Sequence, residues 1–372
     1  MSSARPGRIA GASLLSLLAL TTAGCGATPA ASSEAPEATG EAITVTDQRG
    51  ADVTLDAPAE HIASAVIPAP AIIAAVDGSW DRIAGINQSL LDANKLGIIS
   101  RIFPESVETP VIAGRDFVPN MEQILSLSPD LVVQWGDMGA DVIAPIEQAG
   151  LPVVGLEYGT QEDLETWLTL FGDAIGKPDR AAEIVEGMHA SADEVAEKVA
   201  ALDAPAPRGL SLSYTEEGMK ASTGTDYAQY VFDLTGVENV AEDVAGQSAV
   251  VSPEQIIEWD PEFIVLSAFD PATPEEVMAD PQLAGVSAIE DKRVYRAPLG
   301  VYRWQVPSAE SPLFWNWIAA LAYPGEYDVD LPALMTEQIS HLYDYELTRE
   351  DIDLVLRTDL NADSADYGAV AE

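Results

Sequence analysis

Three residue classes are scarce enough in this chain to mark chemistry wherever they gather. There are 18 basic side chains against 61 acidic ones, three histidines and one cysteine. Arginine keeps aromatic company in the run Tyr302-Arg303-Trp304. Trp135, Tyr158 and Tyr214 each stand at the close of a short apolar run, and Arg115 and Thr225 stand in polar turns after two others. Aromatic faces with one or two guanidinium groups suit a bulky ligand with an apolar body and anionic oxygens. A bare metal has weaker support, because His61, His189 and His341 offer no pair at ligand spacing. A chelated metal needs none of them, since the chelator brings the donors. The lone cysteine excludes both an internal disulfide and a four-thiolate site. No Gly-x-Ser-x-Gly elbow is present, and no glycine-rich phosphate loop lies between a strand and a helix. The residues therefore point to a binding protein without a cofactor of its own, rather than to an enzyme.

For those residues to meet, the elements around them must bring them to one edge. Ile43 to Leu55 alternates around Gln48-Arg49-Gly50 and predicts a β-hairpin. Short apolar runs follow at 62–67, 82–86, 110–113, 131–135 and 152–156, and again at 209–214, 219–223, 263–267 and 293–297. Helical patterns separate many of them: 120–127, a helix capped by Thr160 with Asp163, 227–234, 253–259, 312–321 and 331–345. Near-continuous apolar strands alternating with helices argue for mostly parallel sheets covered on both faces. Clefts in such folds lie at the carboxyl ends of the strands, and that rule selects Arg115, Trp135, Tyr158, Tyr214, Thr225, Tyr302, Arg303 and Trp304 as ligand candidates. Trp315 and Trp317 are expected in the core, and Glu310 as a helix cap.

Between the two sets of strands, 178–202 reads as a single helix, with Ile184, Met188, Ala192, Val195, Val199 and Leu202 in one stripe. A related pattern stands on each side of it. Glu122-Gln123-Ile124 leading to Pro129-Asp130-Leu131 reappears 132 residues later as Glu254-Gln255-Ile256 leading to Pro261-Glu262-Phe263. The expected fold is α/β: two Rossmann-like lobes with mostly parallel sheets, joined by one long rigid helix. The expected divisions are a signal peptide at 1–24, a disordered tether at 25–41, an N-terminal lobe at 42–176, the connecting helix at 177–203, a C-terminal lobe at 204–350 and a fraying acidic tail at 351–372.

The first 24 residues carry Arg5 and Arg8 before the apolar run 9–20, a secretory pattern too short to span a bilayer comfortably. Thr22-Ala23-Gly24-Cys25 resembles a bacterial lipobox, which implies cleavage before Cys25 and a lipid on its thiol. A net charge of −43 makes nucleic acid a poor partner.

Taken in order, these features resemble the substrate-binding lipoproteins of ABC importers, in the class for ferric siderophores, cobalamin and haem. The resemblance spans about 43–353. It rests on the opening hairpin followed by His61-Ile62-Ala63-Ser64, on Pro119-Asn120-Met121-Glu122 leading to Pro129-Asp130, on Ser252-Pro253-Glu254-Gln255 leading to Asp260-Pro261, and on Tyr323-Pro324. It implies a lipid-anchored, extracytoplasmic monomer that passes a small-molecule metal chelate, foremost a ferric siderophore, to a permease and its ATPase. A corrinoid, haem or an oxyanion such as molybdate is the alternative cargo, and a secreted hydrolase the alternative class. The resemblance also implies that Glu122 and Glu254 dock on permease arginines, and that Arg115 is a ligand arginine.

Overall fold

In the computed structural model, which describes residues 42–371, the chain begins with the expected hairpin, β1 (Ile43–Thr46) against β2 (Asp52–Leu55). Gly50 turns it at φ +77°, a conformation that costs a side-chain-bearing residue more. Buried Asp47 accepts hydrogen bonds from the turn's own Arg49 and Ala51 amides and from Gly155 (2.8 Å), bolting the hairpin to the first lobe. The signal peptide, Cys25 and the tether lie outside the described residues.

The first lobe runs β3 (Ile62–Ser64), α1 (Ala69–Asp77), β4 (Ile83–Asn87), α2 (Gln88–Asn94), α3 (Ile99–Ile102), β5 (Val111–Ala113), α4 (Met121–Leu127), β6 (Leu131–Trp135), α5 (Ala140–Gln148) and β7 (Val153–Leu156). Its sheet has the order β5-β4-β3-β6-β7, all parallel. Helices cover both faces of such a sheet, which is why Leu131, Val132, Val133 and Val154 are all buried and no polar alternation marks the strands.

Two helices lead out of this lobe. α6 (Gln161–Ala174) starts in the expected Thr160–Asp163 capping box, and α7 (Pro178–Ala200) is the long helix. At 23 residues α7 is about 35 Å long. It lies tightly on α6: a Cβ on Gly172 would come within 2.5 Å of the Ala181 Cβ. Ala181, Ile184, Met188 and Val195 are buried, while Ala192, Val199 and Leu202 are partly buried against the same core. One continuous apolar cluster runs from the hairpin through α1, α6 and α7 into the second lobe's helices, so α7 is one wall of a shared interior.

The second lobe runs β8 (Arg208–Thr215), β9 (Gly218–Ala221), α8 (Tyr227–Leu234), β10 (Glu238–Asn239), β11 (Ala249–Val251), α9 (Pro253–Trp259), β12 (Phe263–Leu266), α10 (Pro274–Met278), α11 (Ser287–Glu290) and β13 (Val294–Arg296). β12 pairs in parallel with β8 and β13, and β10 with β8; β9 is antiparallel to both β8 and β11. The second sheet is therefore mixed, unlike the first.

After β13 come α12 (Ser311–Ala322), α13 (Leu331–Tyr343), α14 (Arg349–Leu356) and α15 (Tyr367–Ala371). Here the expected frayed tail is wrong. Val355, Leu356 and Tyr367 are buried, and Thr348 with Asp351 forms a capping box. Asn361 acts as a surrogate strand for β13, accepting from the Arg296 amide (2.6 Å) and donating to its carbonyl (3.2 Å). Arg101 of the first lobe binds Asp351 (2.7 Å) and Glu350 (2.8 Å). The second lobe thus continues to 371 and does not close at 350.

Ending the chain at Leu347 would strip these side chains from the core. At about 1.5–3 kcal/mol per large apolar side chain, the loss is several kcal/mol in urea unfolding; a loss below about 1 kcal/mol would mean the tail is dispensable.

Candidate functional site

The segments at the carboxyl ends of the two sheets face one another and enclose two hollows. One, of about 520 Å³, takes Ile67, Leu96 and Arg115 from the first lobe and Phe269, Tyr302 and Arg357 from the second. The other, of about 410 Å³, lies between Tyr158 and a serine-rich wall made by Ser211, Ser213, Ser222, Ser248 and Ser267, with Lys220 beside them. A single residue lines both hollows: Arg303.

Arg303 is half-buried between aromatic rings, its guanidinium carbon 5.5 Å from the Tyr302 ring centre and 5.6 Å from that of Phe269. Its Nε is buried without a hydrogen-bond partner, and among the described residues it has no ion-pair partner. In so acidic a chain that isolation needs a cause, and the surroundings supply one. Asp270, which lines the same hollow, has both oxygens committed to β8, accepting from Ser213 Oγ (2.9 Å) and the Tyr214 amide (2.8 Å). The carbonyls of Ser267, Asp270 and Ala272 are all taken by buried Arg296, which pins the Phe269 loop.

The segment that carries Arg303 is also held from below. Glu310 is buried and accepts from the Val301 amide (3.0 Å), Trp304 Nε1 (2.6 Å) and the Tyr343 hydroxyl (3.0 Å). Gly300 permits this approach, because a Cβ there would fall 1.7 Å from a Glu310 oxygen. Burial pushes the Glu310 carboxyl up to about 7.

The sequence-derived candidates divide into three groups. Arg303, Tyr302, Tyr158 and Arg115 line the cleft. Arg115 does so at the rim, its side chain 75% exposed and paired with Asp92 at 2.6 Å. Tyr158 spans the lobes by donating to the Pro307 carbonyl (3.1 Å). Trp135 and Thr225 stand just behind the walls. The Trp135 ring is 6.2 Å from that of Tyr158, with a buried, unpartnered Nε1, and Thr225 hydrogen-bonds to Gly246 at the edge of the serine side. Trp304 and Tyr214 are corrections. Trp304 is fully buried, its indole donating to Glu310 beneath the turn. Tyr214 donates to Asp280 and packs on its own lobe's core. Glu310 makes no helix-cap hydrogen bond, a further correction.

Four contributions do not follow from the sequence analysis: Arg357, Phe269, Lys220 and the serines Ser211, Ser213, Ser248 and Ser267. Ser211 and Ser213 did leave a trace, alternating with buried Leu210 and Leu212 along β8, the period of a strand with one polar face. Arg357 left none, as its place depends on the ordered C-terminal segment.

Glu122 and Glu254 are exposed in the first turns of α4 and α9. Hydrogen bonds from its own amide and from Ser252 hold the Glu254 carboxyl below its ordinary range. Among the described residues no cluster of three His, Cys, Asp or Glu side chains could hold a metal ion. His189 pairs with Glu165, and His341 meets Arg180 and Glu183.

Comparison with known proteins places this geometry. A family model described as periplasmic binding protein matches residues 72–299. The molybdate-binding protein MolA of Haemophilus influenzae is 24% identical over 265 residues, covering 65% of this chain and 75% of MolA. The uncharacterized ABC transporter substrate-binding lipoprotein YvrC of Bacillus subtilis is also 24% identical, covering 68% and 77%. The crystal structure of a periplasmic solute binding protein from Veillonella parvula superposes with a TM-score of 0.79 at 30% identity, covering 87% of this chain and 99% of that one.

The floor under Arg303 titrates. The folded state holds the Glu310 proton more tightly than the unfolded chain, where the carboxyl has its ordinary 4.5. Its contribution to stability is therefore complete below about pH 4.5 and is lost as pH rises to about 7, a loss of about 3 kcal/mol. Glu310→Gln keeps an oxygen for Trp304 and Val301 but cannot titrate. Urea unfolding at about pH 4.5 and about pH 8 should find that the parent chain changes by about 3 kcal/mol more than the variant, toward lower stability at the higher pH; equal changes would contradict the assignment.

Proposed function

This chain belongs to the periplasmic binding protein family, and from that premise we propose that it is the extracytoplasmic substrate-binding component of an ABC importer. Its cargo is an anionic metal chelate, in the first place a ferric siderophore, carried to a permease and its ATPase. The observation that carries this reading is the unpaired guanidinium of Arg303 between the lobes. A cation partly withdrawn from water, flanked by aromatic faces and left without a carboxylate, is a prepared receptor for anionic oxygens. Arg357 adds charge on the same side, Arg115 stands at the rim in its pair with Asp92, and Phe269 and Leu96 offer apolar surface to the body of a chelator. The metal belongs to the cargo, so the cleft needs no histidine. A lipid on Cys25 would keep the protein at the membrane, and Glu122 and Glu254 would meet the permease.

A second reading has its own support. The serine hydroxyls with Lys220 and Arg303 form a smaller, more polar receptor, suited to a compact oxyanion. MolA is by name a molybdate binder. The two readings differ in which hollow is filled.

Purification of the chain from its native host, followed by its visible spectrum and the mass of what accompanies it, separates them. A charge-transfer band that is lost in Arg303→Gln supports the ferric chelate. A colourless protein that binds molybdate, and does so 10- to 100-fold more weakly after Lys220→Gln, by the usual worth of a charged hydrogen bond of about 1.5–3 kcal/mol, supports the oxyanion. A bound ligand with no negative charge, unaffected by Arg303→Gln, would sink both.

A further inference from the structure

Seven large apolar side chains are well exposed among the described residues: Leu96, Val118, Leu125, Met138, Val250, Ile257 and Phe269. Leu96 and Phe269 line the cleft. Isolated exposed aliphatics are ordinary on a protein surface. Here, however, Val118 and Val250 are 132 residues apart, and so are Leu125 and Ile257. That is the spacing of Glu122 and Glu254, and each lobe thus repeats the order valine, glutamate, branched aliphatic.

The backbone repeats with them. Asn120 and Ser252 cap α4 and α9, accepting from the amides of Gln123 and Gln255. Both helices are seven residues long and leave through a left-handed residue, Ser128 at φ 50° and Asp260 at φ 45°. The valines occupy like places too. Val250 lies in β11, the edge strand of the second sheet, and Val118 adjoins Pro119, which bridges to Ala113 in β5, the edge strand of the first. On each helix the glutamate and the aliphatic are three residues apart and share a face. A helix joining two parallel strands starts at their carboxyl ends, so both helices begin on the side of the cleft.

Core packing does not require these side chains, with exposures of 52% and 50% in the first lobe and 75% and 43% in the second. Helix stability does not require them either, because α4 and α9 are already capped. Resting on the import reading above, we infer that each lobe carries a mixed docking patch, Val118–Glu122–Leu125 and Val250–Glu254–Ile257. The pair seats on a permease with two-fold symmetry that presents, twice, a cation rimmed by an apolar hollow. The glutamates set register and on-rate, and the aliphatic side chains, desolvated on contact, add salt-independent affinity. A duplicated patch on a single chain is the complement of a symmetric dimer.

The test uses the full chain and the permease–ATPase complex of the same organism in nanodiscs. The double variant L125S/I257S should lower affinity for the nanodiscs about tenfold or more, and equally at about 50 mM and about 500 mM salt. E122Q/E254Q should lower it chiefly at the lower salt. Cargo binding and thermal melting should stay as in the parent. If the parent binds and L125S/I257S binds as tightly, the docking inference fails while the import reading stands. If the parent does not bind the nanodiscs at all, both fail. Sedimentation of the chain alone as a dimer that L125S/I257S dissolves would give the face to a second copy and overturn the proposal.

Discussion

Three hydrogen bonds converge on the Glu310 carboxyl, from the Val301 amide, the Trp304 indole and the Tyr343 hydroxyl, and together they decide where Arg303 can be. A flexible loop carrying an arginine in this chain would find one of the many carboxylates and close the gap. This segment cannot, because it is tied at both ends of the 301–304 turn to a buried group that is itself held by α13. Gly300 is the geometric condition for the tie, since any side chain there would collide with the carboxylate. The neighbouring Phe269 loop is pinned by Arg296 in the same way, and Asp270 is thereby turned toward β8. Two buried ionisable residues, one acid and one base, hold the surroundings so that the Arg303 charge stays available.

The two lobes are alike on the outside and different within. The segments 118–128 and 250–260 match in caps, helix length and exit. A few residues earlier, where the same segments meet the cleft, the match ends: Arg115 in one lobe corresponds to Gln247 in the other, and the hollows they line differ in character. On the proposed function this division has a physical sense. A symmetric membrane partner favours duplicated exteriors, whereas a cargo without symmetry favours unlike walls. The shared core between the lobes sets the distance between the two outer faces, and α7 contributes to it as a packed wall, not as an isolated spacer.

Much of this was legible in the residues. β6, α8 and α9 lie at the expected positions 131–135, 227–234 and 253–259, because strong apolar period and clear caps coincide there. The Thr160 capping box was equally plain. Of the cleft, Arg303, Tyr302, Tyr158 and Arg115 followed from the rule of strand ends. What failed did so for particular reasons. Acidic residues around Ile352, Val355 and Leu356 masked a buried helix, and with it Arg357. Trp304 and Tyr214 stand outside the cleft, and neighbourhood in sequence does not tell which way a side chain turns. Local sequence shows Glu310 only as a helix-cap residue, because its place as a buried acceptor depends on Tyr343, 33 residues away.

On the proposed function, cargo sits between the lobes with its anionic oxygens on Arg303. The most direct measurement is a crystal structure of the chain purified with its cargo, with anomalous scattering to locate any metal. Density between the two lobes, its oxygens within hydrogen-bond reach of the Arg303 guanidinium, is the predicted result. Cargo bound elsewhere on the protein, or Arg303 found paired with Asp270 while the cleft is filled, would contradict it.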